Sequence, residues 1–206
     1  MRSKLMIVCG LSLLTACSSS NDAVKETTTT MTSLNETSTT PVQIIMADDI
    51  PVAHTPEGGY GTSFPPLILG TCTEPLVAGA PDLRGIWKTI SATRGGETVA
   101  PDDRLMSYTE RIEQCGNRIV DCGGGTISDA RADGTAENGV NDVLVFDYKT
   151  PINVRASYED GAFVLRPVGL EAFEVVRKLD ADGHMVWTRP DMGGIRVVLE
   201  RVSEPQ

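Results

Sequence analysis

Histidine is nearly absent. His54 and His184 are the only two in 206 residues. Neither has a Gly-x-Ser-x-Gly partner of the kind a hydrolase triad uses. No Cys-x-x-Cys pair occurs, so the spacing that holds structural zinc is missing. Positive charge is also short, with 18 Lys and Arg against 28 Asp and Glu and a net charge of −10. That balance argues against nucleic acid, whose phosphates need clustered cations, and against electrostatic adsorption to anionic lipid. No apolar run reaches the ~20 residues that cross a ~30 Å hydrocarbon layer. Past residue 80 no long stretch repeats its apolar residues at helical spacing. Two further motifs fall short. Asp180-Ala181-Asp182-Gly183 hints at a calcium loop, but in that register Lys178 takes the first position and Arg189 the place of the bidentate Glu. Gly123-Gly124-Gly125 leads from strand to strand and not into a helix, so it reads as a bend or bulge and not as a phosphate cradle. The expectation is a protein that is not an enzyme and that carries no metal and no cofactor.

What is present begins at the amino terminus. Arg2 and Lys4 precede an apolar run from Leu5 to Leu14, then Leu14-Thr15-Ala16-Cys17 and three serines. The run suits a signal-peptide core. The four residues resemble the lipobox of bacterial lipoproteins. The resemblance implies a signal peptide over residues 1–16, cleavage before Cys17 and a diacylglycerol on its sulfur. Loss of Arg2 and Lys4 takes the net charge from −10 to −12. Two or three acyl chains, at roughly 0.8 kcal/mol per buried methylene, hold a protein to a bilayer where one does not. By resemblance to sorting in Gram-negative bacteria, Ser18 after Cys17 implies the outer membrane, with the protein facing the periplasm.

Residues 18–40 hold thirteen Ser or Thr among twenty-three. Such a segment buries too little to offset its ordering entropy. Residues 41–71 are mixed, with five prolines and Gly58-Gly59. Residues 17–71 are therefore expected to be a lipidated, disordered tether spanning very roughly 40 Å, with a folded domain over 72–206. Of five cysteines, Cys9 leaves with the signal and Cys17 is the lipid site. Cys72, Cys115 and Cys122 remain, and an oxidising compartment favours one disulfide. If Gly116-Asn117 is a tight turn, Cys115 faces Arg118 and Cys122 faces Arg111. The two would then be poorly placed for each other, which favours Cys72 with Cys115.

From about Asp82, short apolar or alternating runs recur. Strands are predicted over 84–91, 107–115, 118–122, 126–132, 141–148, 153–158, 162–166, 173–179, 185–189 and 194–202. Turn signals separate many of them, among them Gly116-Asn117, Ala132-Asp133-Gly134, Asn138-Gly139, Glu159-Asp160-Gly161 and Asp182-Gly183. A short helix within 100–106 competes with a loop. The pattern is all-β and meander-like, fitting a sandwich or an up-and-down barrel.

The first strand, Asp82-Leu83-Arg84-Gly85-Ile86-Trp87-Lys88, resembles the Gly-x-Trp strand that opens the barrel in the calycins, the lipocalins and fatty-acid-binding proteins. The last, Gly194 to Val202, resembles their closing strand with its arginines. The resemblance implies an antiparallel barrel of eight to ten strands. Trp87 would plug one end, with Arg201 or Arg196 across its ring and Gly85 allowing a close backbone approach. The Gly/Pro-rich stretch 93–103 departs from the helical lid of fatty-acid-binding barrels. Val198, two positions after Arg196, departs from their Arg-x-Tyr carboxylate pair.

Glu110, Arg111 and Glu113, with Asp129, Arg131 and Asp133, form the densest charged set. Alternation could aim some into a polar cavity, but the plainer reading is a solvated sheet face. The functional expectation is a membrane-tethered barrel holding a small apolar or amphipathic ligand, lined by alternate residues of the carboxy-terminal strands. The rival is a module for an envelope protein, or an inhibitor, working through the loop 134–142.

Overall fold

The structure is a computed structural model and describes residues 43–141, 148, 151–170 and 172–203. Period-2 alternation produces eleven strands: β1 (Gly85–Arg94), β2 (Glu97–Thr98), β3 (Thr109–Cys115), β4 (Arg118–Gly123), β5 (Thr126–Arg131), β6 (Asp133–Asn141), β7 (Pro151–Glu159), β8 (Ala162–Pro167), β9 (Val175–Leu179), β10 (Met185–Arg189) and β11 (Ile195–Ser203). They form one antiparallel sheet in the order β5-β4-β3-β1-β11-β10-β9-β8-β7-β6, with β2 paired only to β1. The first and last strands pair with each other. The two ends of the row, β5 and β6, meet through Ala132. The sheet is thus a nearly closed barrel of ten strands. Among the described residues no helix is long and apolar enough to cross a membrane.

Two elements differ from the sequence expectation. Residues 133–141, read as turns and a loop, are strand β6, ladder-paired to β7 with two register irregularities. Gly134, at φ +80°, sits in the first of these irregular stretches, so the turn-like letters mark a distortion inside a strand. Most of the strand expected at 141–148 lies outside the described residues, as do Cys17 and the signal segment. In place of a helix within 100–106 there is one 3₁₀ turn, Arg104–Ser107, capped by the Asp103 carboxylate accepting from the Leu105 N–H.

Side chains fill one half of the barrel. Leu83, Trp87, Ile112, Ile119, Phe163, Met185 and Leu199 pack there with almost no exposure. Trp87 is fully buried and its Nε1–H donates to the Leu83 carbonyl at 2.7 Å. The Arg201 guanidinium lies 4.7 Å from its ring centroid and donates to the Asp82 carbonyl at 2.7 Å. Arg196 has no part in this contact. It is exposed and pairs with Thr93, further along β1 from Trp87. Its side chain falls on the outward phase of β11, whereas Arg201 shares the phase of the buried Val197 and Leu199. Gly85, at φ +124°, puts the place of a Cβ 2.7 Å from the Ser203 carbonyl oxygen, so only glycine fits beside the end of β11.

Residues 43–71, expected as disordered tether, lie against the outer face of β3, β4 and β5. Ala47 and Leu69 are buried with Cys115, Val120, Cys122 and Ile127, and Ile50, Phe64 and Ile68 pack beside them. The segment forms no strand, so its backbone groups need side-chain partners. The charged set on β3 to β5 supplies them. Arg118 uses all five guanidinium N–H groups, two on Asp129 and three on the carbonyls of Ala47, Ile50 and Pro51. Asp129 also accepts from the Ala53 N–H at 2.8 Å, and Glu113 accepts from Ile68 and Leu69. Arg111 donates to the carbonyls of Pro65 and Pro66 under the Phe64 ring. A disulfide joins Cys72 to Cys115 and closes the strap. The turn at Gly116-Asn117 pairs Cys115 with Arg118 and Arg111 with Cys122, leaving Cys122 as a buried free thiol among the described residues.

Removing one partner of a buried ion pair costs about 3–5 kcal/mol, because the other charge stays buried alone. Arg118→Met is therefore expected to destabilise the protein by that amount in urea unfolding and to expose residues 43–55 to hydrogen exchange. A loss under 1 kcal/mol would contradict the strap's role.

Candidate functional site

Beside the packed region lies a cavity of about 230 Å³, lined by Leu105 and Tyr108, by Asp121, Gly123, Gly124, Thr126 and Ser128 of the β4–β5 hairpin, and by Leu165, Val175, Arg177, Trp187 and Arg189. Its walls differ. Leu165, Val175 and the Tyr108 and Trp187 rings, 5.9 Å apart, are apolar. Asp121, Ser128, Arg177 and Arg189 are polar. The volume falls below the ~300–1,000 Å³ of drug-sized pockets. A second depression shares Leu105, Tyr108 and Gly124 with the cavity.

The polar floor is an ionic cluster spanning the barrel. Arg177 of β9 reaches Glu110 of β3 at 2.8 Å and Asp121 of β4 through the same Nη2. The Tyr108 hydroxyl donates to Glu110 at 3.0 Å. Two carboxylates thus face one guanidinium away from water. The Asp121 carboxyl is raised to about 8, by burial above all, against the pull of Arg177 and with the help of the Glu110 charge and a hydrogen bond to it. Burial likewise pushes the Tyr108 phenol well above its usual value. A second pair, Arg189 with Asp191 at 2.9 Å, closes the rim.

Several buried polar atoms here have no hydrogen-bond partner among the described residues. They are Trp187 Nε1, Arg189 Nε, Glu110 Oε1, Asp121 Oδ1 and Asp191 Oδ1. Each such atom costs about 1–3 kcal/mol when left unsatisfied. Three of them, on Asp121, Trp187 and Arg189, belong to residues that line the cavity.

Of the residues singled out in the sequence, Gly85, Trp87 and Arg201 meet in the packed half. Cys72 and Cys115 meet on the outer face, and Arg196 stands apart. None lines the cavity. In the charged set, Glu110 points inward, while Arg111, Glu113 and Asp129 point outward beneath the strap and are buried, not solvated. The cavity groups Asp121, Arg177 and Arg189 were missed. Their signal was phase: Arg177 alternates with Val175 and Leu179, Arg189 with Met185 and Trp187, and Asp121 with Ile119. The lining also draws on β4 and β5, beyond the carboxy-terminal strands expected.

Folding raises the proton affinity of Asp121. Between about pH 4 and pH 8 the native state therefore holds a proton that the unfolded chain has lost, and stability falls as pH rises across that window. Asp121→Asn is expected to flatten that decline, measured as urea midpoints from pH 4 to 9. A variant with the parent's full decline would place the effect elsewhere.

No protein-family profile matches the chain, and no curated protein matches it. Solved structures do. The REP1-NXSQ fatty acid transporter aligns over 60% of this chain and 98% of its own at 16% identity, with a TM-score of 0.40. A mutant of that transporter aligns over 59% and 98% at 18% identity, with a TM-score of 0.42. A mutant of the fluorescent protein UnaG aligns over 59% and 97% at 17% identity, with a TM-score of 0.41.

Proposed function

We propose that this protein is a binding barrel that holds one small amphipathic molecule in an interior cavity, presented on an exported lipoprotein. The observation that carries the binding reading is the cavity itself, with Leu165, Val175, Tyr108 and Trp187 as its apolar wall and Asp121, Ser128, Arg177 and Arg189 as its polar one. Burial against Leu165, Val175 and the two rings supplies affinity at roughly 25 cal/mol per Å² of apolar surface. The polar wall fixes orientation. A non-enzymatic role is part of this reading, and the pairing of Glu110 with Arg177 is consistent with it.

The binding test uses 1-octanol and 1-naphthol as probes, followed by methyl and indole NMR shifts. Shifts confined to Leu165, Val175 and Trp187, and abolished by the cavity-filling Val175→Trp, are expected. Shifts absent for both probes, or unchanged by Val175→Trp, would refute the reading.

The lipoprotein part rests on Leu14-Thr15-Ala16-Cys17, and the Cys72–Cys115 disulfide fits an oxidising compartment. The acyl chains on Cys17 would anchor the mature chain to the outer membrane, facing the periplasm. Cys17→Ser is expected to move the protein from the membrane fraction to the soluble one and to remove the lipid mass from the mature amino terminus. Persistence in the membrane fraction would sink the anchor.

A further inference from the structure

We infer that the polar end of this cavity selects an uncharged head group that accepts hydrogen bonds, a primary carboxamide foremost or an alcohol, and discriminates against carboxylates. The inference rests on the binding reading above and deepens it. Its basis is a match of hydrogen-bonding capacity and charge.

The capacity comes from the wall. Trp187 Nε1–H and Arg189 Nε–H are donors with no partner among the described residues. Both residues line the cavity, and Arg189 is buried at 6% exposure. A carbonyl or hydroxyl oxygen satisfies the two donors. A bare hydrocarbon leaves both unmet.

The charge comes from the pairing. The titratable and charged groups facing this end are Tyr108, Glu110, Asp121, Arg177, Arg189 and Asp191. Arg189 is matched by Asp191, and Arg177 by Glu110. Asp121 keeps its proton at neutral pH because burial raises it. Tyr108 is neutral for the same reason. The cluster is therefore balanced before any ligand arrives. A carboxylate would bring an unmatched negative charge next to Glu110 and Asp191, and an ammonium would bring an unmatched positive one, each in a site with little water to screen it. Both arginines already have their charge matched by a carboxylate.

The test compares octanamide, 1-octanol, octanoate and octylammonium on the full chain at pH 6.5 by calorimetry. Octanamide is expected to bind at least tenfold tighter than octanoate or octylammonium, with 1-octanol between. Trp187→Phe keeps a ring and removes one donor. Arg189→Lys keeps the charge toward Asp191 and removes the other. Each is expected to weaken octanamide about fivefold and to narrow its lead over octanoate, with folding checked by circular dichroism. Octanoate binding as tightly as octanamide would overturn the inference and leave the binding reading standing. Unchanged octanamide affinity in both folded variants would overturn it as well. No binding by any of the four compounds would overturn the inference together with the reading beneath it.

Discussion

Arg177 is the cross-brace of this barrel. It stands on β9 and grips Glu110 and Asp121 on the opposite wall, at the level where the packed half gives way to the cavity. A guanidinium in that position cannot be left alone, because an unpaired buried charge is far costlier than the pair. Two carboxylates stand within reach, one more than charge balance needs, so Asp121 holds its proton. The brace keeps the walls apart where aliphatic side chains would collapse together, and it gives the hollow a polar floor. The packed half, with Trp87 sealed between Leu83 and Arg201, sets the depth of that floor.

The same chemistry is used on the outside for a different end. Arg118 with Asp129, and Arg111 with Glu113, are buried pairs whose spare hydrogen-bonding capacity goes to an irregular backbone. A Pro-rich segment with no ladder of its own becomes ordered because charged side chains of β3, β4 and β5 meet its carbonyls and N–H groups. Its few apolar residues, Ala47, Leu69, Phe64 and Ile68, then cover Val120, Cys122 and Ile127. Both faces of these three strands are therefore buried.

That double burial explains what the sequence made legible and what it hid. Strand positions follow from alternation and turn letters, and most of the predicted strands fall within a few residues of their places. Trp87, Gly85 and Arg201 were singled out through the resemblance of the first and last strands to those of the calycins, and the structure brings the three together. The strap was not readable. Its composition resembles a linker, and its order depends on partners more than forty residues away, such as Arg118 and Asp129. The cavity groups were hidden for a related reason. An ionisable residue in phase with valines looks like an error of register until its partner on another strand is known, as Arg177 shows with Glu110. The distorted β6 was lost because Gly134 and Asn138-Gly139 carry turn chemistry inside a strand.

The cross-link between Cys72 and Cys115 also decides how the protein bears tension. A pull on the chain ahead of residue 43 first strains the Arg118 clasp and then reaches Cys72. There the covalent path turns into β3, in the middle of the strand row, and bypasses the stretch 73–84 that leads into β1. The cross-link thus ties residue 72 straight to β3, and the covalent loop it closes runs through 73–84 and the opening strand with Trp87.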